Sequence, residues 1–166
     1  MNSAASPAAL FFSRNRCIYT LMPDTTLPAS VCTCFRLRKL SRIVTQRYDR
    51  ELAAAGLNLN QYSILRRASR TPQTVGALAR EIGMDRTTLS RDLKPLVAAG
   101  WIELASSDED ARAKLVRIKP AGKRVLERAQ PLWRKAQDGI NARLGAAGVN
   151  ALHAQLDRAM ARMEPE

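Results

Sequence analysis

Few side chains in this sequence are suited to covalent chemistry, and their spacing argues against most of it. Cys32 and Cys34 form a Cys-Thr-Cys run, and Cys17 is the third cysteine. A C-x-C pair alone lacks the second Cys or His pair that closes a zinc site. The single histidine, His153, lies near an apolar helical stripe and reads as a structural residue. Asp108, Glu109 and Asp110 are adjacent but lack the alternating spacing of a calcium loop, so they read as a solvated loop tip. The sequence holds no G-x-S-x-G, no H-E-x-x-H and no G-x-x-x-x-G-K-[ST]. The expectation is therefore a protein with no catalytic residues, no bound metal and no cofactor.

A second group of residues is suited to recognition. At about 100° per residue, Thr87, Ser90, Arg91 and Lys94 fall on one face of a helix whose other face carries Leu89, Leu93, Leu96 and Val97. Asp92 falls toward the flank, so the polar face holds hydroxyls and cations without a carboxylate. Such groups reach base edges and phosphates when a helix lies in the DNA major groove. Arg86 and Thr88, in the first turn, complete the candidate DNA-contacting set.

The flanking elements suit that role. Thr74 is a candidate N-cap for a short helix with Val75, Leu78, Ala79 and Ile82 as its apolar residues, and Gly83 ends it. Asp85 caps the second helix, Gly100 ends it, and W-I-E-L-A and L-V-R-I-K follow as two strands around a polar loop. Pro95, on the exposed side of the second helix, is expected to bend it slightly. Short helix, turn, helix and hairpin together define a helix-turn-helix followed by a wing.

The run L-A-R-E-I-G-M-D-R-T-T-L-S-R-D-L-K-P-L-V-A-A-G-W-I, followed by D-A-R before a strand, resembles the winged helix of the MarR family of bacterial transcription regulators. The resemblance extends from about Val31 to Met163. It implies a mainly α fold with a small β-hairpin wing, no enzymatic activity, and a homodimer on double-stranded DNA at a pseudo-palindromic operator. It also implies that Asp110 and Arg112 form the wing motif, with Arg112 entering the minor groove. Where the family commonly has a capping Thr before the helix at Pro120, this chain has Lys119.

Charge and length agree with one DNA-binding domain. The 166 residues include 27 Lys and Arg against 15 Asp and Glu, a formal charge of +12 that favours a polyanionic partner. Aromatic residues are only 5%, which disfavours a single-strand binder built on stacking. No run approaches the roughly 18 apolar residues of a membrane span. The domain is expected over residues 30–166, with the winged helix-turn-helix at about 60–119. Helices at 30–55 and 120–163 carry apolar stripes, the first through Cys34, Leu37, Leu40, Val44, Tyr48 and Leu52. Gly145 and Gly148 are expected to break the second segment. These stripes exceed what one small winged helix covers, so either a second subunit buries them or the helices fold back within one chain.

Residues 1–29 read as an extension outside the domain. Arg14 and Arg16 follow the short apolar run Ala8–Phe12, the reverse of a secretory signal, so the protein is expected in the cytoplasm. Met22 reads as the start of the protein; the other reading makes Met1–Leu21 an arm that touches DNA.

These features together imply a transcriptional regulator, most simply a repressor released by a small aromatic compound or an oxidant. C-F-R-L at Cys34 resembles the first helix of the organic hydroperoxide regulators, a MarR subgroup that senses oxidants through a cysteine at this place. That subgroup has a Tyr where this chain has Arg38. Cys34, with Cys32 beside it, is accordingly either a redox sensor or an inert cysteine of a dimer helix. If both lay inside one helix, their side chains would point about 200° apart and a bond between them would be out of reach.

Overall fold

The computed structural model describes residues 32–106 and 114–163. Helix α1 (Thr33–Leu52) ends in a short 3-10 turn, Ala53–Ala55, and is followed by α2 (Leu59–Ala68). A two-residue strand, β1 (Gln73–Thr74), leads into α3 (Val75–Glu81) and α4 (Arg86–Ala98). Strands β2 (Ile102–Ser106) and β3 (Lys114–Ile118) precede the long segment α5 (Pro120–Met163). The fold is mainly helical with one three-stranded antiparallel sheet of order β1-β3-β2.

Local chemistry sets most of these boundaries. Asn58 and Gln61 form a reciprocal capping box at the start of α2, satisfying two backbone N–H groups that the first turn leaves without partners. The Thr74 hydroxyl accepts from the Ala77 N–H at 3.1 Å and caps α3. Helix α4 ends at Gly100, whose φ of +68° lets Gly100 N–H reach the Val97 carbonyl and Trp101 N–H the Leu96 carbonyl. That paired closure is a Schellman motif, and a glycine takes it without a Cβ penalty.

The core lies between α2, α3, α4 and the sheet, and continues through α2 to α1 and α5. Leu52, Tyr62, Ile64, Leu65, Leu78, Leu89, Leu96, Ile102 and Val116 are all almost fully buried. Tyr62 and Tyr48 both stack on Trp133, with ring centroids 6.0 Å away in each case. The Arg66 guanidinium lies 5.3 Å from the Trp133 ring centroid and also donates to the Tyr62 hydroxyl. The Tyr48 hydroxyl donates to Gln137 Oε1, and burial raises its pKa, so it remains a donor at neutral pH. This cluster binds α1 and α2 to the middle of α5.

The structure corrects several expectations. Helix α1 begins at Thr33 with Cys32 as its N-cap, and no side chain caps it; Ser30 lies outside the described residues. Its apolar stripe divides in two: Tyr48 and Leu52 are buried, whereas Leu37 is 48% exposed and Leu40 37%. Before α3 lies a short strand that the sequence analysis did not anticipate, in which Gln73 and Thr74 pair with Val116 and Leu115. Within α5 only Gly145 breaks the helix, at φ 69° and ψ 156°, and Gly148 continues it. Val97, expected among the buried residues of α4, is 39% exposed, and His153 is on the surface. Cys17, Asp108, Glu109, Asp110, Arg112 and Met1–Leu21 lie outside the described residues.

Candidate nucleic-acid interface

Helix α4 is held by its apolar side and by its cap. Leu89, Leu93 and Leu96 are buried, which turns Arg86, Thr87, Ser90, Arg91 and Lys94 to the surface. At the turn before it, Gly83 adopts φ +66°, and Met84 N–H reaches back to the Ala79 carbonyl at 2.9 Å. This closes α3 and sets where α4 begins.

Asp85 is the anchor of α4. Its carboxylate accepts from the Thr88 N–H at 2.8 Å and from the Thr88 hydroxyl. Those Thr88 bonds, the hydroxyl's first, hold the Asp85 pKa below its ordinary value, so the cap is charged at neutral pH. The half-buried Thr88 hydroxyl is thus committed to the cap, which separates Thr88 from the other five candidate residues of the face. Ser90 donates its hydroxyl hydrogen to the Arg86 carbonyl at 2.7 Å, which leaves its oxygen to act as an acceptor. Asp92 accepts from Asn60 Nδ2 at 3.2 Å, which directs the one carboxylate within α4 itself toward α2 and away from the cationic face. Helix α4 runs unbroken through the exposed Pro95.

Strand β3 contributes a residue that the sequence reading did not single out. Lys114 stands at the base of the wing, donates to Ser106 Oγ at 3.3 Å, and lines one side of a cavity with Arg86, Ser90 and Lys94. The cavity measures about 430 Å³, and its floor is apolar, from Val75, Leu93, Val97, Ala98 and Leu104. Three cations therefore rim a concave surface between α4 and the wing. Only the register of β2 against β3, with Ser106 opposite Lys114, brings this lysine there.

The wing itself depends on Gly122. A Cβ at Gly122 would stand 2.2 Å from the Trp101 carbonyl oxygen and 2.9 Å from Ile118 Cγ1. The same carbonyl accepts from Lys119 N–H at 2.8 Å. The start of α5 thus packs directly on Trp101, just past the end of α4, and the backbone bond from Lys119 holds the junction. Across the other edge, Arg67 Nε and Glu81 Oε1 stand 3.1 Å apart, an ion pair between α2 and α3.

This arrangement of short helix, turn, second helix with an exposed polar face, and hairpin is a winged helix-turn-helix. The MarR family model matches residues 55–113, a span that includes α2, α3, α4 and β2. The chain is 33% identical to the Mycobacterium tuberculosis transcriptional regulator MosR, whose structure was solved with DNA; the match covers 81% of this chain and 99% of MosR, with a TM-score of 0.70. It is 25% identical to a probable transcriptional regulator from Pseudomonas aeruginosa, over 78% of this chain and 97% of that one, with a TM-score of 0.70. Escherichia coli MarR without ligand, at 20% identity and a TM-score of 0.64, shares the fold over 78% of this chain and 98% of its own. No curated protein sequence matches the chain. The chain belongs to the MarR family of transcription regulators.

Proposed function

We propose that this protein is a sequence-specific regulator that binds double-stranded DNA as a homodimer at a pseudo-palindromic operator and represses transcription until a signal releases it. The observation that carries this reading is the face of α4, where Arg86, Thr87, Ser90, Arg91 and Lys94 all stand at the surface and the neighbouring carboxylate is turned away. A helix used for protein contacts would present apolar anchors there instead. MosR and E. coli MarR have both been solved with DNA, the latter as a cysteine-to-serine mutant in complex with operator DNA. Asp110 and Arg112 take the wing role in this reading.

A second subunit is the simplest cover for the remaining apolar surface. Phe35 and Ile43 are 39% and 45% exposed on α1, and Met160 and Met163 are 57% and 83% exposed near the end of α5. These faces form the dimer seam, and residues 30–55 and 120–163 are its dimerisation segments. The protein works where the DNA is, in the cytoplasm. Among the described residues no helix is long and apolar enough to cross a membrane.

The test is DNA binding across a salt series, using the segment upstream of the protein's own gene. The logarithm of affinity should fall steeply and linearly with the logarithm of salt concentration, because phosphate contacts release counterions. A flat response would reject the reading in favour of a protein-binding winged helix.

The releasing signal is either a small aromatic compound or an oxidant, and one observation favours the oxidant. Cys32 and Cys34 are both exposed thiols at the start of α1. Cys32 is the N-cap, with extended backbone at φ −71° and ψ 109°. The 200° divergence argued for two helical residues therefore does not apply to this pair, and it no longer excludes a Cys32–Cys34 bond. Mild peroxide should release operator DNA from wild type and not from Cys34→Ser. Release that persists in Cys34→Ser would leave a ligand as the signal.

A further inference from the structure

A cationic cleft lies on the helical stem, apart from the reading face. It is formed by Arg47, Arg50 and Glu51 of α1 and by Lys135, Ala136, Gly139 and Arg143 of α5, and encloses about 130 Å³. We propose that this cleft binds a compact phosphate-type oxyanion, either inorganic phosphate or the terminal phosphate of a larger molecule.

Four cations surround one carboxylate. Glu51, which would repel an anion, is already paired with Lys135 at 2.8 Å. Among the described residues, Arg47 and Arg50 have no hydrogen-bond or ion-pair partner, although Arg47 is half-buried. Arg143 spends one Nη1 hydrogen on the Gly139 carbonyl at 2.9 Å and keeps its other donors. The two free guanidinium forks of α1, with the remaining donors of Arg143 on the α5 side, match the oxygens of a tetrahedral anion, which accept such donors two at a time.

Helix geometry explains why the cleft is open. Lys135, Gly139 and Arg143 follow one another at i, i+4 and i+8, so they form a row along the face of α5 that meets α1. The middle member of the row has no side chain. Gly139 adopts no positive φ, and the nearest atom to a Cβ built on it is Arg143 Nη1 at 3.7 Å. Neither backbone conformation nor packing within the chain demands a glycine there, and its absence of side chain is what leaves the groove. The volume restricts the occupant: pockets for drug-sized ligands measure roughly 300–1,000 Å³, so this one admits a phosphate group but not a whole nucleotide. An anion seated here would bridge α1 and α5 in the segment where they already pack within one chain.

Calorimetric titration of the full chain with sodium phosphate, at constant ionic strength in chloride, tests the proposal. Wild type should bind phosphate saturably and unfold at a higher temperature in its presence, as any ligand of the folded state requires. Arg143→Gln should weaken binding at least tenfold. Gly139→Leu should do the same by filling the groove while leaving every charge in place, and its helical circular dichroism should match wild type. Arg91→Ala with Lys94→Ala should leave phosphate binding unchanged. Parallel titrations with ADP and with adenosine identify the source. Tighter binding of ADP than of phosphate, with none for adenosine, indicates a nucleotide terminus, and binding of phosphate alone indicates the free ion. The proposal is overturned if chloride reproduces the phosphate effect, if folded Gly139→Leu binds phosphate as wild type does, or if only the α4 variant loses binding.

Discussion

At the scale of single residues, the proposed DNA-binding face of α4 divides into side chains free to read bases and side chains that hold the helix. Arg91 is exposed with no carboxylate of its own stretch beside it, and a guanidinium so placed can fork onto a guanine. Arg91→Ala should cost about 1–3 kcal/mol of binding and relax preference at particular bases. Arg112→Ala should instead weaken binding to all sequences and lower the salt slope, because a wing arginine acts through groove potential and nearby phosphate. Affinities of both variants on operator and scrambled DNA distinguish the roles; equal loss of base preference would remove the distinction. Asp85 is a holding residue, and its role depends on pH. Hydrogen bonds to Thr88 depress its folded-state pKa below the free value of 3.8, so its contribution is present above that value and is lost as pH falls through the folded one. The melting-temperature gap between wild type and Asp85→Ala should thus be constant near neutrality and shrink below about pH 4. A gap that persisted at about pH 2 would mean the carboxylate charge is irrelevant to the cap.

At the scale of elements, the junction between the wing and α5 leaves no room for a side chain at Gly122. Gly122→Ala would drive a methyl into the Trp101 carbonyl, and overpacking of this kind costs about 1–3 kcal/mol. Because the Trp101 carbonyl also holds Lys119 N–H, the start of α5 must shift, and the wing with it. Urea unfolding should show the loss of stability, and operator affinity should fall although Gly122 is not among the proposed DNA contacts. Unchanged unfolding would show that Trp101 yields easily. Trp133 plays a comparable part between α1, α2 and α5, since Tyr48, Tyr62 and Arg66 all pack on its indole. Replacing it by alanine should cost about 3 kcal/mol, the low end of the range for a large aromatic, because the indole is only partly buried. Chemical denaturation measures this directly, and a loss under about 1 kcal/mol would place the stack outside the cooperative core.

At the scale of the whole molecule, the proposed dimer makes a geometric demand on the DNA. Two copies of α4 related by a two-fold axis should protect half-sites about 10 base pairs apart, one helical turn. Footprinting checks the spacing, and sedimentation checks the dimer. Protection of a single half-site per bound protein would contradict both. Truncation after Leu144 removes Met160 and Met163 and should weaken association while leaving the buried residues from Leu52 to Ala136 in place.

Much of this was legible in the chain because it depends on neighbours in sequence. Thr74 and Asp85 as caps, Gly83 and Gly100 as stops, and the polar face of α4 follow from local hydrogen bonding and from a 3.6-residue period. The two longer strands follow likewise from their alternation and their flanking turn residues. Tertiary structure decided what depends on contacts between distant segments. The pairing of Gln73 and Thr74 with β3 joins residues more than forty positions apart, and two residues carry no strand period of their own. Lys114 joins the polar face of α4 through the β2–β3 register, and Gly122 is required only because Trp101 arrives against it. The first half of α1 shows the same limit from the other side. Its stripe is as apolar as the second half, but periodicity records which residues seek burial and not what is present to bury them.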